Sequence, residues 1–196
     1  MQYILNLKFI KLFAYNSARV IQTEREESHK HRCGYYYGFQ IIYGGIIKIL
    51  LLVLTSLLFR TLIPTLIVTF SFAIIRVFAG GLHFNSYTKC AYISLATLIF
   101  GGLITNYITY NNLFGISVFI FTLIVFLLYA PVENENRPLK NNDKVKFKII
   151  SMILLLVLFI LQQYFVLLDI NYVSMGITIG VLLSGLIATP VINKLK

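Results

Sequence analysis

His83 stands seven residues before Cys90 in the run RVFAGGLHFNSYTKC, at the edge of an apolar stretch. A thiol and an imidazole on one short connection are the minimum equipment for cysteine nucleophilic catalysis, because imidazole near neutral pH takes the proton that makes a thiolate. An unbroken helix from 83 to 90 would hold the two side chains roughly 10 Å apart along one face, whereas proton transfer needs about 3 to 4 Å. For the pair to react, the chain must bend back between them. Gly80, Gly81, Asn85 and Ser86 suit a break or tight turn. The expectation is a broken or re-entrant segment near residues 80–90, with Cys90 near the first turn of the next helix, whose N-terminus would favour the thiolate. The plain alternative is a cysteine in apolar surroundings and a histidine at a membrane interface, both common.

The elements that must position this pair are membrane helices. Of 196 residues, 58% are hydrophobic and 12% charged, and the mean hydropathy is +0.82. A water-soluble core of this size could not hide that much apolar surface. Six stretches approach the roughly 20 residues needed to cross a hydrocarbon layer: Ile41–Phe59, Leu62–Phe78, Ala91–Tyr110, Leu113–Ala130, Phe147–Leu168 and Tyr172–Ile192. They lack the alternation of barrel strands, and lipid leaves backbone groups no other partner than the helix. The fold expected is all-α and polytopic, a single integral membrane domain over 1–196. Residues 1–40 form a cytoplasmic or interfacial amphipathic segment, 41–192 the six-span bundle and 131–146 a cytoplasmic loop. The second span is the weakest by pattern, with Pro64 in its first turn and Arg76 near its end.

Basic residues set the orientation, since cytoplasmic loops retain Lys and Arg. The N-terminal segment, the turn after span two, the loop after span four and the C-terminus together hold fifteen of the seventeen. The three intervening connections hold only Arg60, and Lys48 lies inside the first span. Both termini, and with them His83 and Cys90, are therefore expected on the cytoplasmic side of the cell membrane. The net charge of +10 reads as topology and attraction to anionic lipid headgroups rather than a nucleic-acid footprint. The segment QYILNLKFIKLFAYNSARV suits a helix lying in the headgroup region. Lys8 and Lys11 interrupt its apolar run and no small-residue cleavage site follows, so it is not read as a signal peptide.

The glycine pairs Gly44–Gly45 and Gly101–Gly102 read as sites of close helix packing, while Gly80–Gly81 directly precedes the polar turn of His83. Cys33 near His29 and His31 lacks further ligands, so no metal site and no cofactor are expected. Two cysteines facing a reducing cytoplasm do not suggest a disulfide.

The run R-x-x-x-G-G-x-H-x-x-x-x-x-x-C, as Arg76, Gly80, Gly81, His83 and Cys90, resembles the signature of the accessory gene regulator B (AgrB) family. YAPVENENRPL, Tyr129 to Leu139, is similar to the proline- and acid-containing loop after that family's fourth span. Size, layout and the basic N-terminal segment agree along essentially the whole chain. The resemblance implies a bacterial membrane cysteine endopeptidase that processes a quorum-sensing propeptide, a small partner with an amphipathic N-terminus and an acidic C-terminal tail. Cys90 would attack a backbone carbonyl with His83 as general base, then acid to the leaving amine. A Cys or Ser side chain of the peptide would capture the acyl-enzyme, closing a thiolactone or lactone. The family also implies a dimer, which nothing in the residues demands.

Other roles stay open. Arg76 either holds an acidic group or oxyanion, or anchors the span at the headgroups. Asn85 and Ser86 either assist His83 or simply make the turn, and Gly80 and Gly81 shape the segment. Arg137, Lys140 and Lys144 either attract the acidic tail or only mark topology. Two other classes compete: a small polytopic transporter and a non-catalytic membrane partner protein. A coupled transporter usually carries intramembrane acids, which these spans lack, and no HExxH motif is present for a metalloprotease.

Overall fold

The computed structural model describes the backbone of residues 8–25, 29–81, 87–132 and 141–189, and side chains over 9–24, 31–81, 91–132 and 143–189. Among these residues the chain forms seven helices and no strand: α1 (Lys8–Arg25), α2 (His29–Leu58), α3 (Leu62–Ala79), α4 (Tyr87–Tyr107), α5 (Asn112–Tyr129), α6 (Asn141–Leu167) and α7 (Asn171–Ala188). Five of them, α2, α3, α5, α6 and α7, are long and apolar enough to cross a membrane. The remaining expected span corresponds to α4, whose apolar stretch Ala91–Tyr107 is slightly shorter.

Helices outrun the apolar stretches that announce them. α2 starts at His29 and α6 at Asn141, several residues ahead of the expected spans. At about 1.5 Å per residue the 30 residues of α2 extend to about 45 Å, more than the hydrocarbon layer requires. The polar first turn of α6 carries Asp143, a charge that suits a helix N-terminus, so residues 141–146 of the expected loop are helical. Pro64 does not break α3. It occupies the third position of the helix, where a missing N–H leaves no bond unmade.

Contacts divide the chain into two units, Met1–Leu54 and Thr55–Lys196. In the first, α1 buries Ile10, Ala14 and Ala18, a stripe at helical spacing. Phe9, Leu12, Phe13 and Val20 stay exposed. Ser17 Oγ lies 2.8 Å from Tyr43 OH, and the Phe13 and Tyr43 rings meet edge to face at 6.5 Å. Gly45 faces open space, so the packing role expected of its pair does not extend to it.

The second unit is organised round α7, which packs against α3, α4, α5 and α6. Small residues make its approaches possible: a Cβ on Gly180 would lie 2.7 Å from Ser71 Cβ and 2.8 Å from Val68 O. Gly101 and Gly102 do pack closely, against Val68 and Ile179 and against Thr65 respectively. Buried hydroxyls return their protons to the preceding turn, as Thr105 to Gly101 O at 2.9 Å and Ser184 to Gly180 O at 2.9 Å, and among the described residues no buried side-chain nitrogen or oxygen lacks a partner.

At one end of this bundle the turns are short. Arg60 and Asp169, at φ 54° and 59°, close α2 and α6 in the left-handed conformation. Thr61 N donates to Ser56 O at 2.9 Å and Ile170 N to Phe165 O at 3.0 Å, the six-to-one bond of a Schellman cap. The α4–α5 turn is capped by Asn111, whose Oδ1 accepts from Leu113 N at 2.9 Å. Tyr110 from this turn meets Gln162 of α6 through its hydroxyl.

Candidate functional site

The opposite end carries Arg76, Gly80 and Gly81 and the start of α4. α3 stops at Ala79, and Gly80 N still donates to Arg76 O at 3.1 Å. The backbone then turns away, with Gly80 at φ 73°, ψ −151° and Gly81 at φ 137°. The Gly80 conformation lies in a region essentially reserved for glycine. The break expected near Gly80 therefore begins there, and the next described residue, Tyr87, opens α4. Cys90 is the fourth residue of α4.

Three helix C-termini converge on this break. Val132 N donates to Ala79 O at 2.9 Å, and Gly80 and Val132 pair as an isolated parallel bridge. A Cβ on Gly80 would collide with the carbonyl oxygen of Val132. A Cβ on Gly81 would lie 2.6 Å from Cγ2 of Ile187, near the end of α7. Both glycines are thus required by backbone conformation and by the approach of a neighbouring chain. Phe78 and Phe147 meet at 6.0 Å, bringing the N-terminal part of α6 to the end of α3.

The GGxH run and the loop beginning Tyr129-Ala-Pro-Val132 are far apart in the chain, yet they touch at Gly80 and Val132. These are the same two segments on which the family resemblance rests. Val132 and Ile187 were not singled out from the sequence. Nothing in an apolar residue's type announces that its carbonyl or methyl will sit against a glycine fifty or a hundred positions away.

Arg76 is half-buried, and its guanidinium lies over the Phe72 ring at 5.3 Å from the centroid, a cation–π contact. Phe72 is itself buried, so the arginine is held against the α3 surface one turn before the break. Lys144 lies half-buried near the start of α6. His83, Asn85, Ser86, Arg137 and Lys140 lie outside the described residues, as does the side chain of Cys90.

A model of the family described as accessory gene regulator B matches residues 14–188. The chain is 32% identical over 122 residues to an AgrB-like protein of Clostridium acetobutylicum, covering 61% of this chain and 58% of that one. It is 31% identical over 103 residues to an AgrB-like protein of Listeria welshimeri, covering 53% and 50%. It is 30% identical over 125 residues to the accessory gene regulator protein B of Staphylococcus aureus, covering 64% and 67%. The matches with the first two relatives thus span 58% and 50% of those proteins' length. No solved structure matches. With a family match running from α1 to the end of α7 and a bundle of membrane-crossing helices beneath it, the chain is a multi-pass membrane protein and belongs to the accessory gene regulator B family.

Proposed function

We propose that this chain is a membrane-embedded cysteine endopeptidase acting in accessory gene regulator quorum sensing. Cys90 is its nucleophile and His83 its general base. The observation that carries the reading is the Gly80–Val132 bridge. It ties the start of the segment that leads to His83 to the start of the Tyr129–Leu139 run.

The substrate is a small propeptide with an amphipathic N-terminus and an acidic C-terminal tail. Cys90 Sγ forms a bond to a backbone carbonyl carbon at the C-terminal side of the future signal, the C–N bond breaks, and His83 returns its proton to the leaving amine. A Cys or Ser side chain of the peptide then attacks the thioester, closes a thiolactone or lactone ring and restores the Cys90 thiol. Exchange of one thioester for another keeps the activated bond that hydrolysis would waste, and a water-poor site at a membrane surface favours that outcome. Arg137, Lys140 and Lys144 attract the acidic tail, and Arg76 holds its shape at the break. The site faces the cytoplasm, a reading supported by the distribution of basic residues.

Co-expression with a propeptide encoded nearby tests the proposal. Wild type should yield a shortened peptide, and both Cys90→Ser and His83→Ala should leave it whole while inserting in the membrane normally. Unchanged cleavage in both variants would assign the chain instead to the non-catalytic or transport class.

A further inference from the structure

Away from the candidate site, α5 and α6 part to leave an apolar groove of about 240 Å³. Its floor is the edge-to-face pair Phe119 and Phe159, with centroids 5.0 Å apart. Its walls include Ile120 and Leu123 of α5 and Met152 and Leu156 of α6. Ile120 and Leu156 are more than half exposed, so the groove opens along the outer face of two membrane-crossing helices, where the surrounding solvent is hydrocarbon.

Polar contacts between the same helices close both ends. One turn beyond Leu123 and Met152, Lys148 Nζ donates to Leu127 O at 2.6 Å. One turn beyond Phe159, Gln163 Nε2 donates to Asn112 Oδ1 at 3.1 Å. The fifteen helical steps from Lys148 to Gln163 span roughly 22 Å, most of the depth of a bilayer core of about 30 Å.

A cavity of about 150 Å³ accommodates benzene, so 240 Å³ suits a flexible hydrocarbon chain. The Lys148 ammonium carries three donors, of which Leu127 O takes one, and it sits where a lipid whose chain lies in the groove would place its phosphate. We propose that the α5–α6 groove binds one acyl chain of an anionic phospholipid, with Lys148 as the contact to its headgroup.

The test is native mass spectrometry of the full chain after incubation with vesicles of phosphatidylglycerol or of phosphatidylcholine, with helix content checked by circular dichroism. Wild type should retain one lipid per chain and prefer the anionic one about fivefold, the scale of one cation near an anionic surface. Ile120→Trp and Leu156→Trp should each lose retention of both lipids. Lys148→Gln should keep retention and lose the preference. The proposal fails if wild type carries no lipid, if both tryptophan variants retain as much as wild type, or if they instead only convert a dimer to monomers, which would mean that a second copy covers the groove.

Discussion

At one end of the α3–α7 bundle the chain reverses in three or four residues, while at the other it leaves the helices through longer segments that pair across the molecule. The short turns are held by local bonds: Thr61 to Ser56, Ile170 to Phe165 and Leu113 to Asn111. The other end is held by Val132 against Ala79 and Gly80, and by Ile187 against Gly81. Local caps fix where a helix stops. Contacts between distant segments fix where the loops stand in relation to one another, which is what a catalytic constellation needs.

The comparison can be broken at three glycines. Gly180 lies in the seam between α7 and α3, where a side chain would meet Val68 O and Ser71 Cβ. Gly180→Val should therefore lower stability by roughly 2–4 kcal/mol, an overpacking cost added to the lost approach of two helices. Unfolding in a denaturing detergent series would measure it, and processing should fall only as far as folded protein does.

Gly80→Ala should separate the two quantities the other way. The φ of 73° costs an L-residue about 1–3 kcal/mol, and relief requires moving Val132 and the loop behind it. Processing should drop at least tenfold while the helix content and detergent resistance of the bundle change little. An unaffected rate would mean that the Gly80–Val132 pairing does not position the reactive groups.

Gly45→Ala gives the smallest effect. A methyl there meets nothing within 4 Å, and alanine is the better helix former, so stability should stay within about 1 kcal/mol of wild type and rise if it moves at all. The same midpoint assay used for Gly180→Val reads both.

Hydropathy made the spans legible because each membrane helix must be apolar over about 20 residues. It placed the starts of α2 and α6 too late, since a helix continues beyond the bilayer wherever polar residues keep its backbone bonded. His29 and Asn141 look like loop residues only when apolar character is the criterion. Gly80 and Gly81 were legible as a break because two adjacent glycines before a polar run have few other uses. Their partners Val132 and Ile187 were not, because close approach between distant segments leaves no local pattern. Gly44–Gly45 and Gly101–Gly102 look alike in sequence, yet Gly102 abuts Thr65 and Gly45 abuts nothing. The polar meeting of Tyr110 with Gln162 was equally silent, since each residue alone reads as an ordinary boundary side chain.

The proposed reaction requires Cys90 as its nucleophile. Intact-mass and peptide mass spectrometry of the protein, purified after brief exposure to its propeptide and quenched in acid, should find the peptide's N-terminal portion in thioester linkage to Cys90. The adduct should be removed by hydroxylamine and absent from Cys90→Ala. A propeptide cleaved at the normal rate by well-inserted Cys90→Ala, with no adduct on the wild-type thiol, would contradict it.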